Sequence, residues 1–300
     1  MKTYRIYQID AFTGRRFQGN PAGVVANADG LEDRQMQAIA RELNNAETAF
    51  ILSPSSDDHD VRIRFFTPTV EVPSCGHATI SAHYVRALEN NLPSCTVNQR
   101  IGLGILPVDI LKKESGYRIT MTQGKVEVSP ELDTSVRTPL LDALGLTPRD
   151  LDPDCPVQIA STGHSKVMIG IRSGSVLNSL EPDLSALTRI SKDINCNGFF
   201  VFTFDSEDDD ILTNGRMFAP AIGIPEDPVT GNANGPLGAY LVKNSLIDSR
   251  DGLVRFKGRQ GEAIQRPGIV RVEVDVEAGE PVRVRVGGDA VVAFKTEISM

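Results

Sequence analysis

No stretch of the sequence approaches the run of about 20 apolar residues that crossing a bilayer requires, so a membrane span is not expected. The opening segment MKTYRIYQIDAF alternates polar and apolar residues as a strand does, without the apolar core and small-residue cleavage site of a secretory signal. A cytoplasmic location is the expectation. Basic blocks are also missing: 31 Lys and Arg against 39 Asp and Glu give a formal charge of −8, which argues against a nucleic-acid partner. The four cysteines (Cys75, Cys95, Cys155, Cys196) form no CxxC pair and the four histidines (His59, His77, His83, His164) form no HExxH, so neither a disulfide frame nor a metal site is expected from spacing. Gly102-Leu103-Gly104 lacks the third glycine of a dinucleotide loop, and Gly163-His164-Ser165-Lys166 lacks the upstream glycine of a phosphate loop. With no cofactor motif, any chemistry must come from side chains.

What the chain does have is 300 residues, enough for two cores, with 40% hydrophobic and 23% charged content. It also has a duplication. IARELN at 39–44 and ISKDIN at 190–195 read as short amphipathic helices ending in Asn; each is followed by an apolar strand, Glu47-Thr48-Ala49-Phe50 in one half and Asn197-Gly198-Phe199-Phe200 in the other. A further strand then leads to Phe66-Thr67-Pro68 or to Phe218-Ala219-Pro220. A polar loop follows, and then a helix starting at Cys75-Gly76-His77 or at Thr230-Gly231-Asn232. Gly19-Asn20 and Gly163-His164 each precede an earlier strand. The helices over 77–90 and 232–244 are apolar nearly all round, which marks them as buried, and the flanking segments alternate as strands do. The expected architecture is α+β: two similar halves, each a curved sheet wrapped around one central helix. The boundary is placed near residues 120 to 130. This gives an N-terminal half over 1–124, completed by a returning strand at 287–300, and a C-terminal half over 125–286.

The starts of two such helices offer unpaired N–H groups and positive dipole ends, and an active-site cleft between the halves would use both to bind an anion. Gly76 and Gly231 would let the backbone approach a carboxylate closely, or could simply serve tight turns. Glu47, His77 and Asp227 lie at the same landmarks. Taken singly, they read as a surface charge, a helix-start histidine and a turn former before Pro228; together they form an acid/base set. Cys75 at a helix start is placed where the dipole favours a thiolate. The loops 95–107 and 205–215 are expected to line the pocket.

The run Gly19-Asn20-Pro21-Ala22-Gly23-Val24, the Glu47-Thr48-Ala49-Phe50 strand, the Phe66-Thr67-Pro68 to Cys75-Gly76-His77-Ala78-Thr79 block and the Glu226-Asp227-Pro228-Val229-Thr230-Gly231-Asn232-Ala233 block resemble the PhzF family of phenazine-biosynthesis-type isomerases over essentially the whole chain. The resemblance implies the diaminopimelate epimerase-like fold, the site between two pseudo-symmetric halves, and a homodimer. It also implies Glu47 as the acid/base residue, His77 and Asp227 as its catalytic partners, and Thr230-Gly231-Asn232 as a substrate-holding segment in which Asn232 stands where the family has serine. Asn20, Cys75 and Gly76 join the substrate-binding set. The expected function is a cofactor-independent isomerase moving a proton on a small carboxylate. Its alternatives are an epimerase using Glu47 with Cys75 and a carboxylate-binding protein without turnover. Two-thiol racemisation is disfavoured because Thr230 occupies the second cysteine position, and a hydroxyl is too weak an acid for that role.

Overall fold

The computed structural model describes every residue except Asp251, and the chain divides into two compact units: 1–122 with 287–300, and 123–286.

In the first unit, strand Thr3–Ala11 pairs antiparallel with Asn20–Val25, which runs parallel to Thr48–Leu52. Parallel neighbours need a crossover, and the helix Asp33–Leu43 supplies it. Thr48–Leu52 pairs antiparallel with Val61–Phe66, and that strand is parallel to Cys95–Ile101, joined by the second crossover helix, Gly76–Asn90. Antiparallel strands Gly104–Lys112 and Tyr117–Thr122 follow. The long strand Glu280–Ser299 then pairs with Tyr117–Thr122 and, through residues 290–299, with Thr3–Ala11. The result is a closed ring of eight strands.

Helix Gly76–Asn90 fills that ring. Residues 76–85 are buried without interruption, and the helix packs against strands from across the ring. A helix enclosed by strands has no solvent face, which accounts for its low charge until Arg86 and Glu89. Outside the ring, Met36, Ile39 and Ala40 of the amphipathic helix Asp33–Leu43 pack on Tyr4, Ile6, Val25, Phe50 and Phe66 as a second core.

The second unit repeats this pairing order. Val126–Glu131 pairs antiparallel with Gln158–Thr162, then Ser165–Gly170 antiparallel, Phe199–Thr203 parallel, Thr213–Ala219 antiparallel, Leu253–Gln260 parallel and Gly268–Glu277 antiparallel. The two parallel steps are again bridged by helices: Gly174–Asn178 with Leu184–Asp193 at the first, and the buried Gly231–Lys243 at the second. Helices Thr134–Leu144 and Leu184–Asp193 cover a separate outer core containing Leu140, Leu144, Val167, Leu187, Phe199 and Phe218.

One expectation is corrected. Residues 95–107 are not a loop: they belong to the hairpin of Cys95–Ile101 and Gly104–Lys112, with Gly102-Leu103 at its turn and Gly104 at φ 117°. Alternation of exposed and buried side chains, with Val97, Gln99 and Ile101 inward, marks them as half-buried strand. Among the described residues, no helix is long and apolar enough to cross a membrane.

Candidate active site

The first unit brings three chemically active side chains to one helix start. Helix Asp33–Leu43 ends at Asn44 in the left-handed conformation, with φ 52°, a cap that asparagine tolerates. Asn45 then exchanges two side-chain hydrogen bonds with Gln8, of 2.8 and 2.9 Å, pinning the turn. Glu47 follows, its carbonyl accepting from Gly23 N at 3.3 Å, and Thr48 opens the strand. Helix Gly76–Asn90 brings the other two. Cys75 is its N-cap in extended conformation, and His77 is its second residue. Thr79 and Ser81 hydroxyls donate to the carbonyls of Cys75 (2.7 Å) and His77 (2.9 Å), fixing the first turn from within.

His77 Nε2 lies 3.3 Å from Glu47 Oε2, and Cys75 Sγ lies 3.5 Å from His77 Nδ1 and 4.0 Å from Nε2. Cys75 and His77 are buried, and the Glu47 side chain keeps only 16% exposure. No side chain caps this helix, and its first turn carries no acidic residue, so the open N–H groups of the first turn are left for a ligand or solvent. Asn20 sits buried at the start of strand Asn20–Val25, the strand whose Gly23 holds Glu47. The glycine before it is obligatory: at Gly19, φ 63°, a Cβ would fall 2.1 Å from Ala11 O.

In the second unit, Asp227 ends strand Ile224–Asp227 and accepts the hydroxyl of Thr230, the N-cap of Gly231–Lys243. Gln260 clasps this turn. Its Nε2 donates to Asp227 O (2.7 Å) and Thr230 Oγ1 (3.0 Å), while its Oε1 accepts from Thr230 N at 3.0 Å. Gln123 holds the next residues, donating to Asn232 Oδ1 (3.0 Å) and Gly231 O (3.3 Å) and accepting from Thr162 Oγ1 at 2.7 Å. Gly76 and Gly231 have ordinary backbone conformations, so what each offers is the missing Cβ and not an unusual φ.

Sequence reasoning missed Gln123, Gln260 and Lys166. The duplication could have exposed the last. Gly198 O accepts from Val167 N as Glu47 O accepts from Gly23 N, which makes Gly198, and not the Asn197 that the sequence match sets opposite it, the counterpart of Glu47. A Cβ at Gly198 would lie 2.3 Å from Lys166 Cδ. The lysine therefore fills the volume that the acidic side chain takes in the first unit. Lys166 is buried, its ammonium donates to Ser165 O at 3.0 Å, and burial pushes its pKa down, with Asp227 among the groups that oppose the shift.

The pairing order and central helix define a protein of the diaminopimelate epimerase-like fold. A hydroxyproline epimerase of Agrobacterium vitis shares it, with a TM-score of 0.63 at 12% identity over 99% of this chain and 93% of that one, a likeness of fold alone. The phenazine biosynthesis-like (PhzC-PhzF) family model matches residues 9–296, and the chain belongs to that family. It is 57% identical over 298 residues to an uncharacterized isomerase of Clostridium acetobutylicum, covering 99% of both chains. It is 50% identical to the uncharacterized isomerase YddE of Escherichia coli K12, over 98% of this chain and 97% of that one. A trans-2,3-dihydro-3-hydroxyanthranilate isomerase of Pseudomonas chlororaphis is 32% identical over 94% and 95%. The PhzF-family phenazine biosynthesis protein of Bacillus anthracis superposes with a TM-score of 0.89 at 31% identity, over 100% of both chains.

Proposed function

We propose that this protein is a cofactor-independent isomerase in which Glu47 takes a proton from a carbon of a small carboxylate metabolite and returns it at another carbon or oxygen. The observation that carries this reading is the 3.3 Å contact between Glu47 Oε2 and His77 Nε2 at an uncapped helix start. The carboxylate is the base. The imidazole orients it and is within reach to relay a proton, and the N–H groups of the helix start favour an anionic substrate. Isomerase names among relatives that match 94–99% of the chain support the reaction class. In the second unit we assign Asp227 to orienting the Thr230 hydroxyl, and the Thr230-Gly231-Asn232 helix start to holding an anionic group of the substrate.

The test starts with trans-2,3-dihydro-3-hydroxyanthranilate and a panel of small unsaturated and cyclic carboxylates in deuterated water, read by NMR. The wild type is expected to convert one of them, with solvent deuterium or an internally carried proton appearing at the new position. On that substrate, Glu47→Gln should lose about 100- to 10,000-fold in kcat with KM nearly unchanged. A Glu47→Gln enzyme running at the wild-type rate would place the base elsewhere.

The second reading is an epimerase in which Cys75 acts with Glu47, favoured by the thiol lying against the same imidazole. Loss of turnover in both Cys75→Ala and Glu47→Gln, with inversion at a single carbon of a chiral carboxylate as the reaction, would select it.

A further inference from the structure

The same three side chains have a second capacity that their spacing in the sequence hides. A ligand atom from each of Glu47, Cys75 and His77 lies within 4.8 Å of the others. Zinc bonds nitrogen and oxygen at about 2.0–2.2 Å and sulfur at about 2.3 Å, so a tetrahedral centre sets ligand-to-ligand edges near 3.3 Å for nitrogen to oxygen and near 3.6 Å for sulfur to nitrogen. The corresponding edges here are 3.3 Å from His77 Nε2 to Glu47 Oε2 and 4.0 Å from Cys75 Sγ to His77 Nε2. The first edge already matches; the sulfur lies nearer Nδ1, at 3.5 Å, so the imidazole must turn for Nε2 to face both partners.

We propose that Glu47, Cys75 and His77 form a three-ligand site for a borderline-soft divalent cation of the zinc type, and that its occupation shuts the isomerase off. The donor set is thiolate, imidazole and carboxylate, which selects zinc, cobalt or cadmium over magnesium or calcium. On binding, the metal displaces the thiol proton to solvent and takes the Glu47 carboxylate as a ligand, which draws off its electron density and makes it too weak a base for carbon chemistry. The fourth coordination position stays open to water or a substrate oxygen. Two of the three ligands lie in a single first turn of backbone fixed by Thr79 and Ser81, so the rearrangement is confined to side chains. Cys95, Cys155 and Cys196 belong to no such group among the described residues.

This inhibition rests on the assignment of Glu47 as the base, but metal binding itself is read without substrate. The full-length protein, stripped with a chelator, is titrated with Co²⁺ and followed by absorption, then with Zn²⁺ in competition. The expected result is one equivalent of Co²⁺ with a thiolate-to-cobalt charge-transfer band, displaced by Zn²⁺. The band should vanish in Cys75→Ser, whose three other cysteines remain. His77→Asn and Glu47→Gln should each weaken binding by at least the 10- to 100-fold typical of losing an outer-shell partner. Circular dichroism of each variant checks that the fold persists. A band retained in Cys75→Ser, or affinities unchanged in all three variants, overturns the site. Zinc bound with these signatures while turnover continues undiminished overturns the inhibition. If Glu47→Gln remains fully active yet binds metal weakly, the metal site stands and the assignment of the base falls.

Discussion

His83 shows what enclosure in a ring of strands does to a single ionisable group. It is fully buried in the first unit's central helix, with Nε2 paired to Gln99 Oε1 at 3.0 Å and Nδ1 without a partner. Burial pushes its pKa down from 6.5 to about 4. Above pH 6.5 the imidazole is neutral in folded and unfolded chains alike and stability does not depend on it. Between 6.5 and about 4 the unfolded chain takes a proton that the folded chain refuses, so stability falls with pH across that window. Denaturant melts of the wild type should therefore lose stability on going from pH 7 to pH 4.5, before most carboxylates titrate. His83→Gln should flatten that part of the profile; an unchanged slope in the variant would assign the loss to other groups. The same helix carries His77 in its first turn, where the imidazole has a carboxylate and a thiol as neighbours. Two histidines six residues apart thus serve a core and a site, and the difference is the company each keeps.

At the scale of the element, the duplication extends to an ion pair that supports each helix start. Arg64 forks onto Glu71 with two bonds of 2.7 Å and stacks 5.1 Å from the Phe66 ring; Arg216 forks onto Glu226 at 2.9 and 2.8 Å and stacks 5.0 Å from Phe218. Each acidic partner lies on the short return strand just before the helix start, so each fork ties that strand to its neighbour. The two differ in burial. Arg216 and Glu226 are nearly enclosed, and the guanidinium also donates to Leu177 O and Leu180 O, whereas Glu71 is 43% exposed and Arg64 keeps Asp33 as a second partner at 2.6 Å. Removing one member of a buried pair strands the other charge. Glu226→Gln should thus cost about 3–5 kcal/mol, and Glu71→Gln about 1 kcal/mol or less. Equal losses in chemical denaturation would show that burial does not separate them. Neither fork was legible in the sequence, because the pairing is made across a sheet and no local period reports it. The central helices, their starts and the flanking strands were legible, since apolar circumference and alternation are local signals. Glu47, Cys75 and His77 could be named from the repeated motifs, but their convergence could not, because Glu47 reaches the helix start through strand pairing. Gln123, Gln260 and Lys166 were missed for the same reason: Gln260 and Lys166 arrive from strands and Gln123 from the segment after Tyr117–Thr122, all distant in sequence from what they hold, and only the Gly198 counterpart of Glu47 hints at the lysine.

Across the whole molecule, the chain closes the first unit with its last residues. Residues 290–299 pair with Thr3–Ala11 over nearly the full length of that strand, and the same long strand pairs with Tyr117–Thr122 on its other side. Asp289 adds charged ties at 3.1 Å to Arg118 and Lys113, which hold its carboxyl below the usual range despite its burial. Removing this segment would leave strand Thr3–Ala11 with an unpaired edge, expose Tyr4, Ile6 and Ile9, and unfasten the cage around helix Gly76–Asn90. Strand Phe199–Thr203 and helix Gly231–Lys243 lie in the other unit and keep their own pairings. A chain truncated after Gly288 should therefore lose hydrogen-exchange protection first in residues 3–11 and 76–90, with far slower loss in 199–203 and 231–243. Isomerase activity should fall with the first group, because Cys75 and His77 are positioned by that helix. Uniform loss of protection over both units would show that they unfold as one cooperative body, and protection unchanged in residues 3–11 would show that the ring does not depend on its last strand.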